Sequence, residues 1–360
     1  MAEDSGARTG ARSLMIGAAV VVVLAGLKAS QTLIIPFLLA LFLAIICAPA
    51  VSWLTRKRVP VGVAVLIVVI VLLAVFSGFG AIVGSSVNEF AAFAAQYQVR
   101  FDGLIASATE WFEAHDIDPQ SLDVLTMLQP GKLINMLGGV LKNLAAVLSN
   151  LLLIILTMIF MLLEAATLPI KMRAAVRRGG VDIENLGQIV GQIQRYLGIK
   201  TATSLATGLL VGVWTAVIGL EFAVVWGLLA FLLNYIPSIG SIVAAVPAVL
   251  LGLVQGGIGY ALLVAAGYVV VNVSIGNFIE PYLLGLTLGL STLVVFLSLV
   301  FWGWMWGSIG MLLSVPLTMI IKILFENTDD LKWVAVMLDN RRGAEKRLEV
   351  LESAATADGD

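Results

Sequence analysis

The sequence predicts an all-α polytopic membrane protein of about eight membrane segments, two of them broken-helix hairpins inserted from opposite sides as an inverted repeat. Three observations predict it. Of 360 residues, 60% are hydrophobic and 12% charged, whereas a soluble domain is nearer half apolar and a quarter charged. Apolar runs of span length alternate with basic turns. Two further apolar stretches are too long for one straight crossing, and each carries a break at its middle. The composition excludes a soluble enzyme and a disordered chain. A net charge of −2 leaves no basic footprint for nucleic acid, so the lipid bilayer is the first expected partner.

The elements follow in order. A helix needs about 20 apolar residues to cross the hydrocarbon. The first run is Leu14 to Leu27, ended by the polar Lys28–Thr32 segment, and the second is Leu33 to Leu54. Lys28 and the second run that follows at once argue for a helical hairpin over a cleaved signal peptide. Val61 to Val83 is a third span, after the basic turn Arg56-Lys57-Arg58. A polar stretch, Gly84 to Val147, holds Phe90, Phe93, Tyr97, Phe101 and Leu104 at helical spacing, with turns at Asp118-Pro119 and Gln129-Pro130-Gly131. It reads as a helical cap packed on the membrane domain, or as a vestibule that receives substrate. Leu148 to Leu163 is a fourth span, followed by Lys171, Arg173, Arg177 and Arg178. An amphipathic helix, Val181 to Ile199, leads to the span Thr201 to Leu220. Then come the long stretch Phe222–Val254, the span Ile258–Ile279, the long stretch Thr292–Leu324 and a charged tail from Lys332.

The expected domains are a three-span unit (1–83), the external cap (84–147), the fourth span with its cytosolic amphipathic helix (148–200), the inverted-repeat core (201–326) and the cytosolic tail (327–360). The positive-inside rule sets direction. With both termini cytoplasmic, only Lys28, Arg100, Lys132 and Lys142 of the 21 Lys and Arg fall outside, which leaves 17 inside (21 − 4).

The long stretches make this count work if Phe222–Val254 enters and leaves outside and Thr292–Leu324 enters and leaves inside. Their breaks read Asn234-Tyr-Ile-Pro237-Ser238-Ile-Gly240 and Gly303-Trp-Met-Trp-Gly307-Ser308-Ile-Gly310. Pro removes a helical donor and Gly frees the backbone. Each Ser-Ile-Gly is followed by a Val-Pro, with Pro247 and Pro316 seven and six residues after the glycine. Broken helices of this kind place substrate sites near the bilayer midplane, and the two tips are expected to approach each other there. Polar residues mark a pathway: Asn234, Ser238 and Ser241 at the first tip, Ser308 at the second, and Asn272, Ser274, Asn277 and Glu280 near Pro281. The spacing puts Asn272, Gly276 and Glu280 on one helix face. Interhelical hydrogen bonding is the alternative role of the Asn and Ser residues.

Little else is available for chemistry. Cys47 and His115 are the only residues of their kinds, so no multi-ligand zinc site and no metal is expected. His115 lies in a polar loop, the apolar spans hold no Asp pair, and neither HExxH nor a phosphate-binding GxxxxGK[ST] occurs. No enzymatic activity and no cofactor are expected.

Leu33-Ile-Ile-Pro36-Phe-Leu-Leu-Ala40 with Pro49, Asn234–Gly240 with Pro247, Ile279-Glu280-Pro281 with Leu288-Gly289-Leu290, and Gly310 with Val315-Pro316 resemble the autoinducer-2 exporter family of bacterial permeases. The order and spacing cover nearly the whole chain. Glu221 stands where the family often has Pro, and Leu286 where it often has a basic residue. The resemblance implies an inner-membrane transporter of the furanosyl quorum-sensing signal or, in other members, a sodium–proton exchanger. The leading expectation is a carrier that exports a small polar molecule. The alternatives are a cation–proton antiporter using Glu280, a passive oligomeric pore, and a membrane scaffold that does not transport. A homo-oligomer is expected.

Overall fold

A computed structural model describes residues 2–115, 138–139, 151–176, 183–237, 239–284, 289–326, 328, 331–340, 345 and 348. Among these the chain is helical throughout its ordered elements, as its composition demands. Five helices are long and apolar enough to cross a membrane: Gln31–Arg56, Val61–Phe93, Gly191–Val217, Gly240–Leu283 and Thr292–Glu326. Shorter apolar helices are Gly17–Ala29, Leu152–Ala165 and Ala223–Leu233.

Helix α1 (Ala2–Ala29) and α2 (Gln31–Arg56) meet at Ser30. The basic turn after α2 places Arg58 in the left-handed region (φ 67°) and closes with Val59 N–H donating to Leu54 O at 3.3 Å. Helix α3 (Val61–Ala114) runs on without a break. The first part of the expected cap is thus a continuation of the third span, because the polar residues after Val83 lie on a helix that nothing interrupts. The turns expected at 118–119 and 129–131 lie outside the described residues. Helix α4 (Leu151–Val176) packs with α2 and α3 around Ala44, Cys47, Val51, Ala64, Val65, Ile154 and Met158.

Helix α5 (Ile183–Val217) joins the expected amphipathic helix and the span after it into one rod that crosses the boundary drawn at residue 200. Helix α6 (Ala223–Leu233) lies against it where glycines meet. A Cβ at Gly208 would stand 2.7 Å from Gly227 O, and one at Gly227 2.7 Å from Gly208 O. Only hydrogen at both positions permits that approach.

Helix α7 (Gly240–Asn272) follows α6 after turns at 234–237 and 239 and reverses at Gly257 (φ 75°, ψ −167°). A π-helical segment (Val273–Ile279) and the short α8 (Glu280–Leu284) come next. Helix α9 (Thr292–Glu326) is interrupted at Trp306 and Gly307 (φ 64°, ψ −146°). The chain folds back there: Trp302 Nε1 donates to Thr318 Oγ1 at 3.0 Å, although 16 residues of straight helix would separate them by about 24 Å. Helix α10 (Lys332–Leu338) is tied to the start of α9 by Ser291 N–H donating to Leu338 O at 3.1 Å.

Both expected breaks therefore reverse the chain, and they do so by the same device. A Cβ on Gly240 would lie 1.8 Å from Leu233 O and 3.1 Å from Ile236 Cβ, and one on Gly310 would lie 1.9 Å from Trp302 O and 3.1 Å from Trp306 Cβ. Each tip closes by seating a glycine on a carbonyl of the incoming limb. Ile309 of the second tip packs against the core that holds Tyr235 of the first. Tyr235 of the first shares a core with Leu313, Val315 and Met319 in the return limb of the second. Trp302, Met305 and Trp306 pack with Leu24, Leu27, Ile34 and Ile35 beside the α1–α2 turn. Trp306 Nε1 donates to Leu27 O at 3.3 Å, and the Lys28 ammonium sits 3.9 Å above the Trp304 ring.

Candidate functional site

Helix α5 carries a buried polar face inside an otherwise apolar region: Lys200, Thr203, Ser204, Thr207 and Thr215. Three of its threonines satisfy themselves on the preceding turn, Thr203 to Lys200 O, Thr207 to Thr203 O and Thr215 to Val211 O. The residues nearest the first tip reach outward to other elements. Asn234 Nδ2 donates to Ser204 Oγ at 3.0 Å, and Tyr235 OH donates to Thr201 Oγ1 at 2.8 Å. Thr201 in turn donates to Leu197 O at 2.6 Å. Lys200 Nζ lies 2.5 Å from Glu280 Oε1, with the two side chains 5% and 15% exposed.

Positions 200, 201 and 204 fall within little more than one helical turn, so one short segment of α5 holds the first tip and the start of α8 at once. The aromatic walls are Phe42 and Phe231, both edge-on to Tyr235 at centroid distances of 5.6 and 5.7 Å. Hydroxyl, amide, ammonium and carboxylate groups thus converge under apolar cover. That is the inventory needed to exchange internal hydrogen bonds for those of a small polar solute. Burial of the ion pair is tolerated because each charge has its partner.

The pathway residues expected from the sequence divide. Asn234 and Glu280 belong to this cluster. Pro237 and Ser241 are half-buried at the first tip, Gly240 is buried there, and Ser238 lies outside the described residues. The segment between Asn272 and Glu280, Val273–Ile279, is π-helical. Its turns hydrogen-bond from i to i+5. Asn272 is half-buried, and Ser274, Gly276 and Asn277 are exposed. Ser308 is exposed at the second tip, while Gly310 is buried. Pro247 and Pro316 sit buried within α7 and α9, and Pro281 is exposed in α8.

Lys200, Thr201, Ser204 and Tyr235 are absent from the sequence-derived set. The available signal was Lys200-Thr201-Ala-Thr203-Ser204, a polar run at the very start of a span. A second buried lysine, Lys322, donates to Gly289 O and lies 3.1 Å from Asp339 Oδ1, which fastens α10 and the entry to α9 together. Among the described residues no group of three His, Cys, Asp or Glu could hold a metal ion.

Comparison with known proteins agrees with this architecture. The model of the AI-2E family transporter matches residues 18–330. The AI-2 transport protein TqsA of Escherichia coli K12 is 38% identical over 327 residues, covering 91% of this chain and 95% of TqsA. A Haemophilus influenzae protein with a provisional transport-protein name is 38% identical over 334 residues, 91% of this chain and 96% of that protein. YhhT of Escherichia coli K12, also provisionally named as a transport protein, is 36% identical over 331 residues, 92% of this chain and 95% of its own length. These relatives are named for transport and not for catalysis, and the chain belongs to the AI-2E transporter family.

Proposed function

We propose that the protein is a secondary carrier of the bacterial inner membrane, with both termini cytoplasmic, that exports a small polar molecule of the AI-2 kind. One observation carries the reading: the tip of a broken helix, Asn234 and Tyr235, is hydrogen-bonded to Ser204 and Thr201 beside the buried Lys200–Glu280 pair. Polar groups are expensive at membrane depth, and such groups at helix breaks mark solute pathways. The printed name of TqsA supports AI-2 as the first solute to try. The shared glycine device of the two reversals supports reading them as hairpins inserted from opposite faces.

The test is AI-2 flux in liposomes that hold the purified protein. A carrier gives saturable flux and counterflow, and loses both in Asn234→Leu. Flux linear in concentration assigns a pore. Absence of AI-2 flux, with proton release driven by a sodium gradient, assigns the antiporter. The Lys200–Glu280 contact specifically favours that second reading, since a cation could replace the ammonium at the carboxylate.

A further inference from the structure

The root of the first hairpin is held at one residue by three elements. In the connection between α5 and α6, Gly219 and Phe222 both adopt left-handed backbone (φ 78° and 62°). That conformation is uncommon for a bulky side chain. Between them stands Glu221, and each of its polar groups is engaged. Its carboxylate accepts a hydrogen bond from Tyr97 OH of α3. Its N–H donates to Gln255 Oε1 of α7 at 3.4 Å, and its carbonyl accepts from Trp226 Nε1 of α6 at 2.7 Å. Tyr260, just past the reversal at Gly257, donates to Ile218 O at 2.7 Å.

The partner on α3 belongs to a continuous face. Val83, Phe90 and Tyr97 follow one another at seven-residue intervals and are all buried, Tyr97 being 2% exposed. Phe90 lies 5.6 Å from the Tyr97 ring and meets the Phe222 ring edge-on at 6.3 Å. The apolar stretch of α3 ends near Phe93, so Tyr97 sits one turn beyond it, on the arm that leaves the span. Glu221 itself is exposed. Water can therefore take over its carboxylate when Tyr97 withdraws, which makes the bond breakable at small cost. The apolar face of α3 would hold a static joint without it. From this root α6 runs 11 residues to Leu233 and then to Asn234 and Tyr235. A movement at the root is delivered to the tip along one short rigid helix.

We propose that Glu221 is a positioning residue: through Tyr97 it clasps the root of the first hairpin to the arm of α3, and release of the clasp frees Asn234 and Tyr235 from α5. The proposal rests on the carrier reading for its purpose, but the clasp is measurable without any substrate.

The experiment uses the full chain with Cys47→Ala in lipid nanodiscs, with single cysteines at Val225 (root), Ile236 (tip) or Met158 (the separate core of α2, α3 and α4). All three positions are buried. The rate of reaction with a membrane-impermeant maleimide is read. Tyr97→Phe removes the hydroxyl alone. Labelling at 225 and 236 should rise about tenfold, as expected for loss of one charge-assisted hydrogen bond, with labelling at 158 unchanged. Glu221→Ala should do the same, and the double variant should add nothing to either single one. No rise at 225 and 236, an equal rise at all three positions, or additive effects in the double variant would each overturn the clasp. Saturability of AI-2 flux decides the carrier reading separately, so the two ideas fail on different measurements.

Discussion

Lys200 and Glu280 stand 80 residues apart in the chain and 2.5 Å apart in the fold. Their contact fastens the start of α8 to α5 at the place where the first tip is hydrogen-bonded. Glu280 does not stand alone on a polar helix face as the sequence suggests. It is the counter-ion of a buried lysine.

Removing either charge alone should therefore be worse than removing both. Glu280→Gln leaves Lys200 buried without its partner and should cost about 3–5 kcal/mol. Glu280→Leu combined with Lys200→Met should regain most of that stability while transport stays lost. Thermal unfolding in detergent compares the three proteins. A single variant as stable as wild type would mean that the pair is hydrated and carries no structural weight.

The glycines at the two tips make a matched prediction. Gly240→Ala and Gly310→Ala each push a Cβ to within 2 Å of a carbonyl oxygen, so the limbs must separate. Each should cost up to about 3 kcal/mol, at the upper end for overpacking, and, on the carrier reading proposed above, abolish flux of the transported solute. Gly257→Ala meets no atom within 4 Å and should suffer only the strain of its backbone (φ 75°, ψ −167°), about 1–3 kcal/mol, without separating packed limbs. Equal losses at all three positions would show that close packing at the tips is not the reason for glycine there.

Much of this was legible because the signals are local. Apolar length, Pro237 and Gly240, and Gly307 and Gly310 all act within a few residues of themselves, and the reversals occur where those residues stand. The pairing of Lys200 was not legible. A lysine at the edge of an apolar run ordinarily extends toward water, and nothing in its neighbourhood names a partner 80 residues on. The π-helical segment was hidden for another reason. Val273–Ile279 contains no Pro or charge to announce its change of register. The length of α3 was hidden because polarity after Val83 signals exit from lipid, and exit from lipid does not end a helix.

Orientation is checked from whole cells. Asp102 on the arm of α3 and Met337 on α10 are both exposed. In the Cys47→Ala protein, Asp102→Cys should react with an impermeant thiol reagent added outside, and Met337→Cys should react only after lysis. The reverse pattern would turn the molecule over and place the Tyr97–Glu221 contact on the cytoplasmic side.

Tyr97 yields a prediction in pH. Burial first, and then the hydrogen bond to Glu221 and its negative charge, raise the Tyr97 hydroxyl above its ordinary value. A free phenol ionises near 10. Because the folded chain holds the proton more tightly than the unfolded one, the contribution of this group is complete below about pH 10 and is lost as pH rises past that point. The melting temperatures of wild type and Tyr97→Phe should therefore differ by a constant amount from pH 7 to about 9, by the equivalent of about 1 kcal/mol for one hydrogen bond. Above about pH 10 the wild type should fall more steeply, because it carries one more ionisable phenol, at position 97, than the variant. The two curves should then converge. Parallel curves up to about pH 11 would mean that Tyr97 ionises as readily in the folded protein as outside it, and that its bond to Glu221 does not hold the arm.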